Sequence, residues 1–375
     1  VDIEGRRIGS NIRPVLRLLD EKGVQVGFSA PQPELHGDAR ISTTLPSDGS
    51  YTLELHDILY KGPAPGRFRL KIGNLSFADL AFPMGVQQGL PASVQYGRTN
   101  INRTVEIAAV EKTLNALPLP AAGHATGSRP RMVVSQHAEF VESTEASDVP
   151  AAPVGINGRL SSKGETDSFK VVAKPGSKLR LNVIARRAGS PVDGVLVVKA
   201  ANGAQIGNND DRPGLSDPGV DVTVPGDSEF ITVLLHDLLR RGGDDFIYRI
   251  EIEDISQPQF AVSIAEDRLQ IPSGSTQTVI VNVVRQGYNG DIALAFDGLP
   301  DGVTAAGSRI LAGRTRGLVS LTAADGDAAF SIGRISATAA DGNVNTTKFL
   351  TVGADSPHYR VLPELRQNLG IARAA

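Results

Sequence analysis

The sequence predicts an all-β protein made of tandem β-sandwich domains, of jelly-roll-like and immunoglobulin-like type. Three observations support this prediction: many short runs rich in Val, Ile, Leu and Thr, frequent turn residues between those runs, and one unit of sequence that occurs twice. The 40 glycines and 23 prolines are what repeated turns between short strands require. A chain of 375 residues is also longer than most chains that fold around a single hydrophobic core. This length predicts two to four domains.

The repeated unit aligns without a gap at an offset of 180 positions. Residues 1–73 and 181–253 share 20 identities in 73 pairs, including the stretch Leu-His-Asp at 55–57 and again at 235–237. We therefore interpret the two segments as copies of one domain, because chance similarity of composition does not keep an ungapped register over this length.

The sequence pattern of each copy predicts β-strands along its whole length. The segments "VLRLLDEKGVQVG" and "VLVVKAANGAQIG" are each two β runs joined by a turn that contains glycine, which indicates a hairpin. In "YTLELHD" the apolar side chains alternate with polar ones, the period of a half-buried strand. The segments "FRLKIG" and "YRIEIE" end the two copies with the same alternation.

The repeat also sets the domain boundaries. After the second copy, runs such as "QTVIVNVVRQG" and "DIALAFDGLPDGVTA" have the turn spacing typical of an immunoglobulin-like sandwich. The predicted domains are, in order, a truncated sandwich at 1–73, a small or degraded sandwich with a linker at 74–150, a complete sandwich at 151–256, an immunoglobulin-like sandwich at 257–352 and a linker or tail at 353–375.

The second copy resembles the bacterial pre-peptidase C-terminal domain family, small β-sandwiches appended to secreted proteases and other exported proteins. The residues that carry the resemblance are "VGINGRLSSKGETDSFKVVAKPGSKLRLNVIAR", "SPVDGVLVVKAANGAQIGNNDD" and "FIYRIEI", with Asp167-Ser168-Phe169, a Pro175-Gly176 turn, Asp193, Gly203 and Tyr248 at the family's positions. The resemblance covers about 151–254. It implies an accessory or binding role outside the cytoplasm, in a secreted, periplasmic or cell-surface protein, with no catalytic residues.

The first copy lacks the opening of the second. Residues 154–180 of the second copy supply two predicted strands before Leu181, and the offset places Val1 opposite Leu181. Without those strands a sandwich leaves backbone groups unpaired and an apolar face uncovered. We expect the native protein to continue upstream and supply them; the other explanation is that the following domain covers the gap.

The repeated histidine–aspartate pairs, His56-Asp57 and His236-Asp237, raise the question of catalysis. Neighbouring residues on a strand point to opposite faces, so they cannot form the hydrogen bond of a catalytic dyad. The favoured interpretation is a surface histidine at a strand end, followed by an aspartate that accepts backbone N–H groups in the next turn. The remaining histidines, at 36, 124, 137 and 358, show no ligand spacing.

The one candidate metal site is the loop "NNDDRPGLSDPGVD". Its Asn209, Asp210, Asp211 and Asp217 could give calcium several oxygen ligands at short separation. A solvated Asn/Asp-rich turn is the favoured interpretation, since the first copy has Ala30 and Pro31 in place of Asp210 and Asp211. Calcium is the one cofactor that the sequence suggests.

Other function classes are disfavoured by what the sequence lacks. With 38 basic and 41 acidic residues and no long run of one sign, it has no signature of a nucleic-acid partner. It has no apolar run of about 18 residues that would insert in a membrane. It has no cysteine, no G-x-S-x-G and no H-E-x-x-H, which excludes thiol chemistry and two hydrolase motifs.

The sequence therefore predicts a non-enzymatic accessory region of a larger exported bacterial protein, acting as spacer and adhesion or targeting module beside neighbouring domains. The alternative is a dedicated polysaccharide- or collagen-binding module, although aromatic residues make up only 5% of the chain and tryptophan is absent. An enzyme would need a site assembled between domains from residues that no motif marks.

Overall fold

A computed structural model describes residues 1–97, 104–111, 114–120, 126, 130–143, 149–212, 216–340, 348–349, 351–352 and 366–374. Within these residues the chain is all-β, as predicted, with three short 3-10 helices and no α-helix. No helix among them has the length and apolar character needed to span a bilayer. The chain divides into two compact units, 1–254 and 255–375.

The second copy of the repeat, with the strands before it, forms a complete sandwich that we call copy 2. Its elements are β12 (Ala138–Val141), β13 (Val154–Arg159), β14 (Asp167–Val172), β15 (Lys178–Ile184), η3 (Arg186–Ala188), β16 (Gly194–Ala200), β17 (Gln205–Asn209), β18 (Gly219–Thr223), β19 (Phe230–Asp237) and β20 (Ile247–Asp254). The sheet orders are β12-β13-β20-β15-β18 and β14-β19-β16-β17. Because successive side chains on a strand alternate between faces, every second residue of β19 is buried, and both sheets contribute to one apolar core.

The first copy, which we call copy 1, has no strand at the position of β18, and its elements include counterparts of β15, η3, β16, β17, β19 and β20. The elements of copy 1 are β1 (Asp2–Glu4), η1 (Arg6–Ile8), β2 (Pro14–Leu19), β3 (Gln25–Ser29), η2 (Pro33–Leu35), β4 (Thr52–Asp57) and β5 (Arg69–Lys71). The sheets are β1-β5 and β3-β2-β4, around a small core that includes Ile3 and Leu16.

The two copies agree in strand register as well as in strand order. Strand β1 pairs Ile3 with Leu70, and β15 pairs Val183 with Ile250, 180 positions later. The β2–β3 and β16–β17 hairpins have a register shift at the same place. Gly9 and Gly189 end η1 and η3 in the left-handed region, with φ of 81° and 91°, which explains why glycine occurs in both copies. The prediction that the copies share one topology is confirmed.

Between the copies lies a smaller region with two three-stranded sheets, of order β6-β8-β9 and β10-β11-β7, that share an apolar core. Its strands are β6 (Leu80–Phe82), β7 (Gly85–Gln87), β8 (Ala92–Gly97), β9 (Thr104–Ile107), β10 (Leu114–Pro118) and β11 (Arg131–Ser135). Strand β12, from the segment predicted to be a separate domain at 74–150, instead pairs with β13 at the edge of the copy 2 sheet.

The second unit is a sandwich with two larger sheets, β25-β27-β23-β21-β30 and β22-β31-β28-β24-β26, with β29 paired to β28. Its strands are β21 (Gln259–Ile264), β22 (Arg268–Pro272), β23 (Thr276–Gln286), β24 (Ile292–Asp297), β25 (Val303–Ala306), β26 (Arg309–Ile310), β27 (Arg316–Ala323), β28 (Ala329–Ala339), β29 (Lys348–Phe349), β30 (Thr351–Val352) and β31 (Leu369–Ala374). Both sheets contribute to one core.

The prediction of a linker or tail at 353–375 is wrong for its last described part. Strand β31 pairs with both β22 and β28, and its Leu369 and Ile371 are buried in the core. Strand "LGIARA" alternates apolar and polar or small residues, so its apolar side chains complete the sheet interior.

Candidate interaction surface

The repeated histidine–aspartate pairs are structural. His56 and His236 each direct ring nitrogen Nδ1 at the backbone carbonyl oxygen of the next residue, at 2.9 and 3.1 Å, and so contact the backbone rather than the carboxylate. The Asp57 carboxylate accepts the backbone N–H of Leu59 at 2.9 Å and that of Arg13 at 2.9 Å. These backbone hydrogen bonds, that of Arg13 foremost, hold the pKa of Asp57 below its ordinary value. The interpretation as a strand-end turn is confirmed.

In copy 2 the same aspartate is buried and has more partners. Asp237 accepts the backbone N–H groups of Leu239, Arg241 and Asp193, and its carboxylate pairs with the Arg241 guanidinium at 2.8 Å. Burial opposes ionisation of Asp237, but these hydrogen bonds from Arg241 and the backbone outweigh it and hold the pKa low. Asp237 therefore joins the β19 end to the start of β16.

The residues predicted to bind calcium do not form one ligand set. Asn209 uses its side-chain oxygen to accept the backbone N–H of Gly219 at 3.1 Å, while Asp210 and Asp211 are exposed. Across the described parts of the chain, no three acidic or histidine side chains come close enough together to hold a metal ion. Calcium binding at Asp210 and Asp211 stays a prediction.

Asp217, the fourth predicted ligand, has a different role. Its carboxylate is buried and accepts the backbone N–H groups of Arg186 and Arg187 at 2.7 and 3.3 Å, and it pairs with the Arg187 side chain at 3.4 Å. In copy 1, Asp38 does the same for η1 and pairs with Arg7 at 2.8 Å. Asp38 aligns with position 218, so the ungapped alignment misses this equivalence by one residue.

Copy 1 also has a small basic cavity of about 220 Å³ beside η1 and η2. It is lined by Arg6, Arg13, Pro31, Pro33, His36 and Gly37. In copy 2, acidic Asp193 takes the position of Arg13, so the charge of this region differs between the copies. Of the histidines without ligand spacing, His36 and His137 are described, and positions 124 and 358 lie outside the described residues.

The surface with the clearest binding potential is an apolar area on copy 1, formed by residues from a strand of each of its two sheets, and we call it the open face. Phe68 is 48% exposed and Ile72 is 66% exposed, and the other members are half-buried against the small core. The open face consists of Tyr51, Leu53, Leu55, Phe68, Leu70 and Ile72.

The corresponding six residues of copy 2 are all fully buried. They are Ile231, Val233, Leu235, Tyr248, Ile250 and Ile252, each with a relative exposure of 0%. At matching positions of one fold, the side chains are thus less buried in copy 1 than in copy 2.

Strand pairing explains the difference in burial. In copy 2, β19 pairs with β14 as well as β16, and β20 pairs with β13 as well as β15. In copy 1, within the described residues, β4 pairs only with β2 and β5 only with β1. The open face is therefore bordered by two sheet edges that have backbone groups available for another strand. The following region does not cover this gap with any described strand.

Copy 2 has a buried hydrogen-bonded pair that includes Tyr248, one of these six residues. The sequence did not predict this pair. The Tyr248 hydroxyl donates to the Asp167 carboxylate at 2.5 Å, and both residues are buried. Burial raises the pKa of Asp167 to about 7, and burial together with the Asp167 charge raises that of Tyr248 above its ordinary value. Copy 1 has Phe68 where copy 2 has Tyr248, and this difference in the alignment was the available signal.

Copy 1 also contains a buried ionic network. Arg7 pairs with Asp2 and Asp38, each at 2.8 Å, and Arg40 pairs with Asp2 at 3.0 Å and with Asp79 at 2.5 Å. Asp79 belongs to the region between the copies, so the network ties copy 1 to it.

No family model matches the chain, and no curated protein matches it. Among solved structures, domains 4 and 5 of the S-layer protein SbsC are 11% identical over 49% of this chain and 71% of that one, with a TM-score of 0.21. The M60 catalytic domain with the CBM51-1 and CBM51-2 domains of Clostridium perfringens ZmpB is 10% identical over 90% of this chain and 36% of that one, with a TM-score of 0.22. The four N-terminal Ig domains of Dscam1 isoform 7.44 are 10% identical over 96% of this chain and 91% of that one, with a TM-score of 0.18. These TM-scores support no argument about function.

Proposed function

We propose that the chain is a non-catalytic region of a larger exported bacterial protein, in which tandem β-sandwich domains act as a spacer and the open face provides adhesion or targeting. The observation that supports this most is the contrast between the open face and its fully buried counterpart in copy 2. We infer export and a bacterial source from the resemblance of residues 151–254 to pre-peptidase C-terminal domains.

The physical argument concerns apolar area and sheet edges. A contiguous apolar surface in contact with water is typical of a protein–protein interaction site, because burying it against a partner removes apolar area from water. An adjacent unpaired strand adds directional hydrogen bonds to that interaction. The open face has both features: Phe68 and Ile72 are exposed, and β4 and β5 each have a free edge among the described residues.

A retention assay tests this function. The full chain is applied to bacterial cell-wall sacculi that keep their surface proteins, to collagen fibrils and to cellulose particles. We expect retention on the sacculi, and a loss of roughly tenfold in affinity for the double variant Phe68→Ser, Ile72→Ser. The matched control is Phe330→Ser, Ile332→Ser in the second unit, where the side chains are 70% and 61% exposed.

Two outcomes would count against the adhesive role: no retention on the sacculi, or retention that the open-face variant leaves unchanged. Retention on collagen or cellulose in place of the sacculi would favour the polysaccharide- or collagen-binding alternative. The non-catalytic part is tested with peptide and glycoside substrates, on which we expect no turnover. Turnover that a single side-chain substitution abolishes would show that the chain is an enzyme.

A further inference from the structure

The basic cavity of copy 1 corresponds to a region of copy 2 in which the charges are paired. Arg6 aligns with Arg186, and Arg13 aligns with Asp193. In copy 2 the Arg186 guanidinium pairs with the Asp193 carboxylate at 3.2 Å, so the arginine at this position of the repeat has an anionic partner within its own domain. In copy 1 a second guanidinium replaces that carboxylate, and both arginines line one cavity of about 220 Å³.

The two arginines of the cavity have no other anionic partner in the part of the chain that the structure describes. The ion pairs of copy 1 there join other residues, such as Arg7 with Asp2 and Arg17 with Glu54. Neither the Arg6 nor the Arg13 guanidinium takes part in one. Two positive charges therefore face one space without a carboxylate between them.

Two carboxylates lie close to the cavity, and both have other partners. Asp38 accepts the backbone N–H of Arg6 at 2.6 Å and pairs with the Arg7 guanidinium at 2.8 Å. Asp57 accepts the backbone N–H of Arg13 at 2.9 Å, and its charge lies near Arg13 without forming an ion pair with it. These contacts fix the backbone of both arginines and leave their guanidinium groups available to a ligand.

The opposite wall of the cavity is fixed by backbone hydrogen bonds. The Gly37 N–H donates to the Gln32 carbonyl at 2.8 Å, and the Gln32 side chain donates to the Ser29 hydroxyl at 2.9 Å. His36 ends η2 in the left-handed region, with φ of 55°, and lines the cavity together with Gly37. Because this wall is ordered before a ligand arrives, binding costs little conformational entropy.

We propose that the basic cavity of copy 1 is an oxyanion site that binds a phosphate group with two negative charges. A guanidinium donates paired N–H groups that match phosphate oxygens, and the charges of Arg6 and Arg13 balance those of the ligand. The site shares no residue with the open face. The inference therefore goes beyond the proposed adhesive function and does not depend on it.

The size of the cavity limits what it can enclose. Its volume of about 220 Å³ is below the range of about 300–1,000 Å³ that is typical of sites enclosing a whole small molecule. The cavity therefore takes the phosphate group itself. That group is either free inorganic phosphate or the end of a phosphate ester whose remaining part stays outside.

A carboxylate is a less suitable ligand for the same reason of charge. In copy 2 the single carboxylate of Asp193 pairs with the single arginine Arg186. Copy 1 has two arginines at these positions, so an ion with one negative charge would leave one guanidinium unbalanced. A phosphate diester also has one charge and should bind less well than free phosphate.

Titration of the full chain with inorganic phosphate tests the inference. NMR follows the backbone N–H groups of Arg6, Arg13 and Gly37 at about pH 8, above the second pKa of phosphate. The ionic strength is kept low, because salt screens exposed charges. We expect saturable shifts at these groups, and roughly tenfold weaker binding of acetate and of dimethyl phosphate, which have one charge each.

Variants of Arg13 show whether the cavity itself is the site. Arg13→Asp gives Arg6 the partner that Arg186 has in copy 2, so it should abolish saturable binding. Arg13→Lys keeps the charge but loses the paired donors, and it should weaken binding roughly threefold. The matched control is Arg268→Asp in the second unit, which makes the same change of charge at a side chain that is 90% exposed and should leave binding unchanged.

A second variant keeps the inference testable if Arg13→Asp does not fold. Arg6→Gln removes one charge and leaves the backbone contact with Asp38 in place, so it should weaken phosphate binding roughly tenfold. Melting temperatures of all variants report whether they are folded. An Arg6→Gln variant that is folded and binds phosphate as the unchanged chain does would overturn the inference.

The source of the phosphate group is distinguished with glycerol 3-phosphate. Binding as tight as that of inorganic phosphate would support the site and assign it to phosphate esters, whereas binding of inorganic phosphate alone would support it as a site for the free ion. The double variant Phe68→Ser, Ile72→Ser should bind phosphate normally, which separates this test from that of the adhesive function. The inference is wrong if no saturable shift occurs, if acetate binds equally well, or if Arg13→Asp and Arg268→Asp have equal effects.

Discussion

Copy 1 and copy 2 have one topology and one strand register, yet their corresponding apolar side chains differ in burial. Ile72 is 66% exposed and its counterpart Ile252 is fully buried. The difference does not come from the residues themselves, since both are isoleucine on the final strand region of the repeat. It comes from β13 and β14, which have no equivalent within copy 1. Burial in a sandwich thus depends on the flanking strands as much as on the alternating pattern of the strand itself.

The same comparison applies to charged residues. Arg249 is buried and pairs with Glu139 at 2.7 Å, whereas the identical residue of copy 1, Arg69, is 64% exposed at its side chain and pairs with Glu4. Burial opposes the charge of Arg249, but the hydrogen bonds and charge of Glu139 keep its pKa above the ordinary value. An identity in the repeat therefore does not imply an equal contribution to stability.

The largest difference between the copies is expected at this arginine. Arg249→Ala should lower the free energy of unfolding of the first unit by about 3–5 kcal/mol, because Glu139 would be left buried without its partner. Arg69→Ala should cost less than about 1 kcal/mol, since the Arg69 side chain is largely exposed to water and Lys71 still pairs with the buried Glu4. Urea unfolding monitored by circular dichroism measures both. Equal losses would contradict the assigned burial of the two arginines.

The second largest difference is expected when the leucine that occupies the same position in both copies is replaced by alanine. Leu235→Ala should cost about 2–5 kcal/mol, because it leaves a cavity in a fully packed core. Leu55→Ala should cost less than about 1.5 kcal/mol, since this side chain is already half in water. Urea unfolding measures both changes in stability. A loss of stability for Leu55→Ala above this limit would show that the open face is covered in solution.

A pH-dependent effect is expected from the buried pair of Asp167 and Tyr248 in copy 2. The folded pKa of Asp167 is raised by burial from 3.8 to about 7, so its contribution to stability is fully present below pH 3.8 and is lost as the pH rises through about 7. Asp167→Asn keeps an acceptor for Tyr248 and removes the titrating group. Melting temperatures should be similar at pH 4, and higher for the variant at pH 8. A variant with the pH profile of the unchanged protein would contradict this assignment.

The smallest effect concerns calcium. If the exposed pair Asp210 and Asp211 binds calcium, the affinity should be in the range of about 10⁻⁴–10⁻³ M that is typical of extracellular modules. Calorimetric titration of the full chain should then show a weak signal that Asp210→Asn, Asp211→Asn removes. Copy 1 has no carboxylate at these positions, so a signal that survives the double substitution would have another origin.

The sequence was sufficient for the architecture because its signals are periodic. The ungapped repeat predicted one topology for both copies, and the strand pairing confirms it down to the shared register shift in the β2–β3 and β16–β17 hairpins. The absence of two strands from copy 1 also followed from the offset. An uncovered apolar face was therefore expected from the sequence.

The sequence did not predict the features that depend on contacts made only in the folded structure. Asp217 looked like a metal ligand because it lies near other acidic residues, but its carboxylate caps the η3 turn, and its copy 1 equivalent is displaced by one position. The Arg40–Asp79 pair joins residues 39 positions apart, a separation that no local pattern reveals. Strand β31 was predicted to be part of a tail, but it pairs with β22, which lies far from it in the sequence.

Hydrogen exchange of the free chain, resolved at β4 and β19, tests most directly whether copy 1 is an open version of copy 2. The account predicts slow exchange for amides on both sides of β19, which has two partner strands, and slow exchange in β4 only for amides that face β2. The β4 amides on the other side should exchange as fast as those of an exposed loop. Equal protection on both sides of β4 would mean that its edge is already paired, and would contradict the open face.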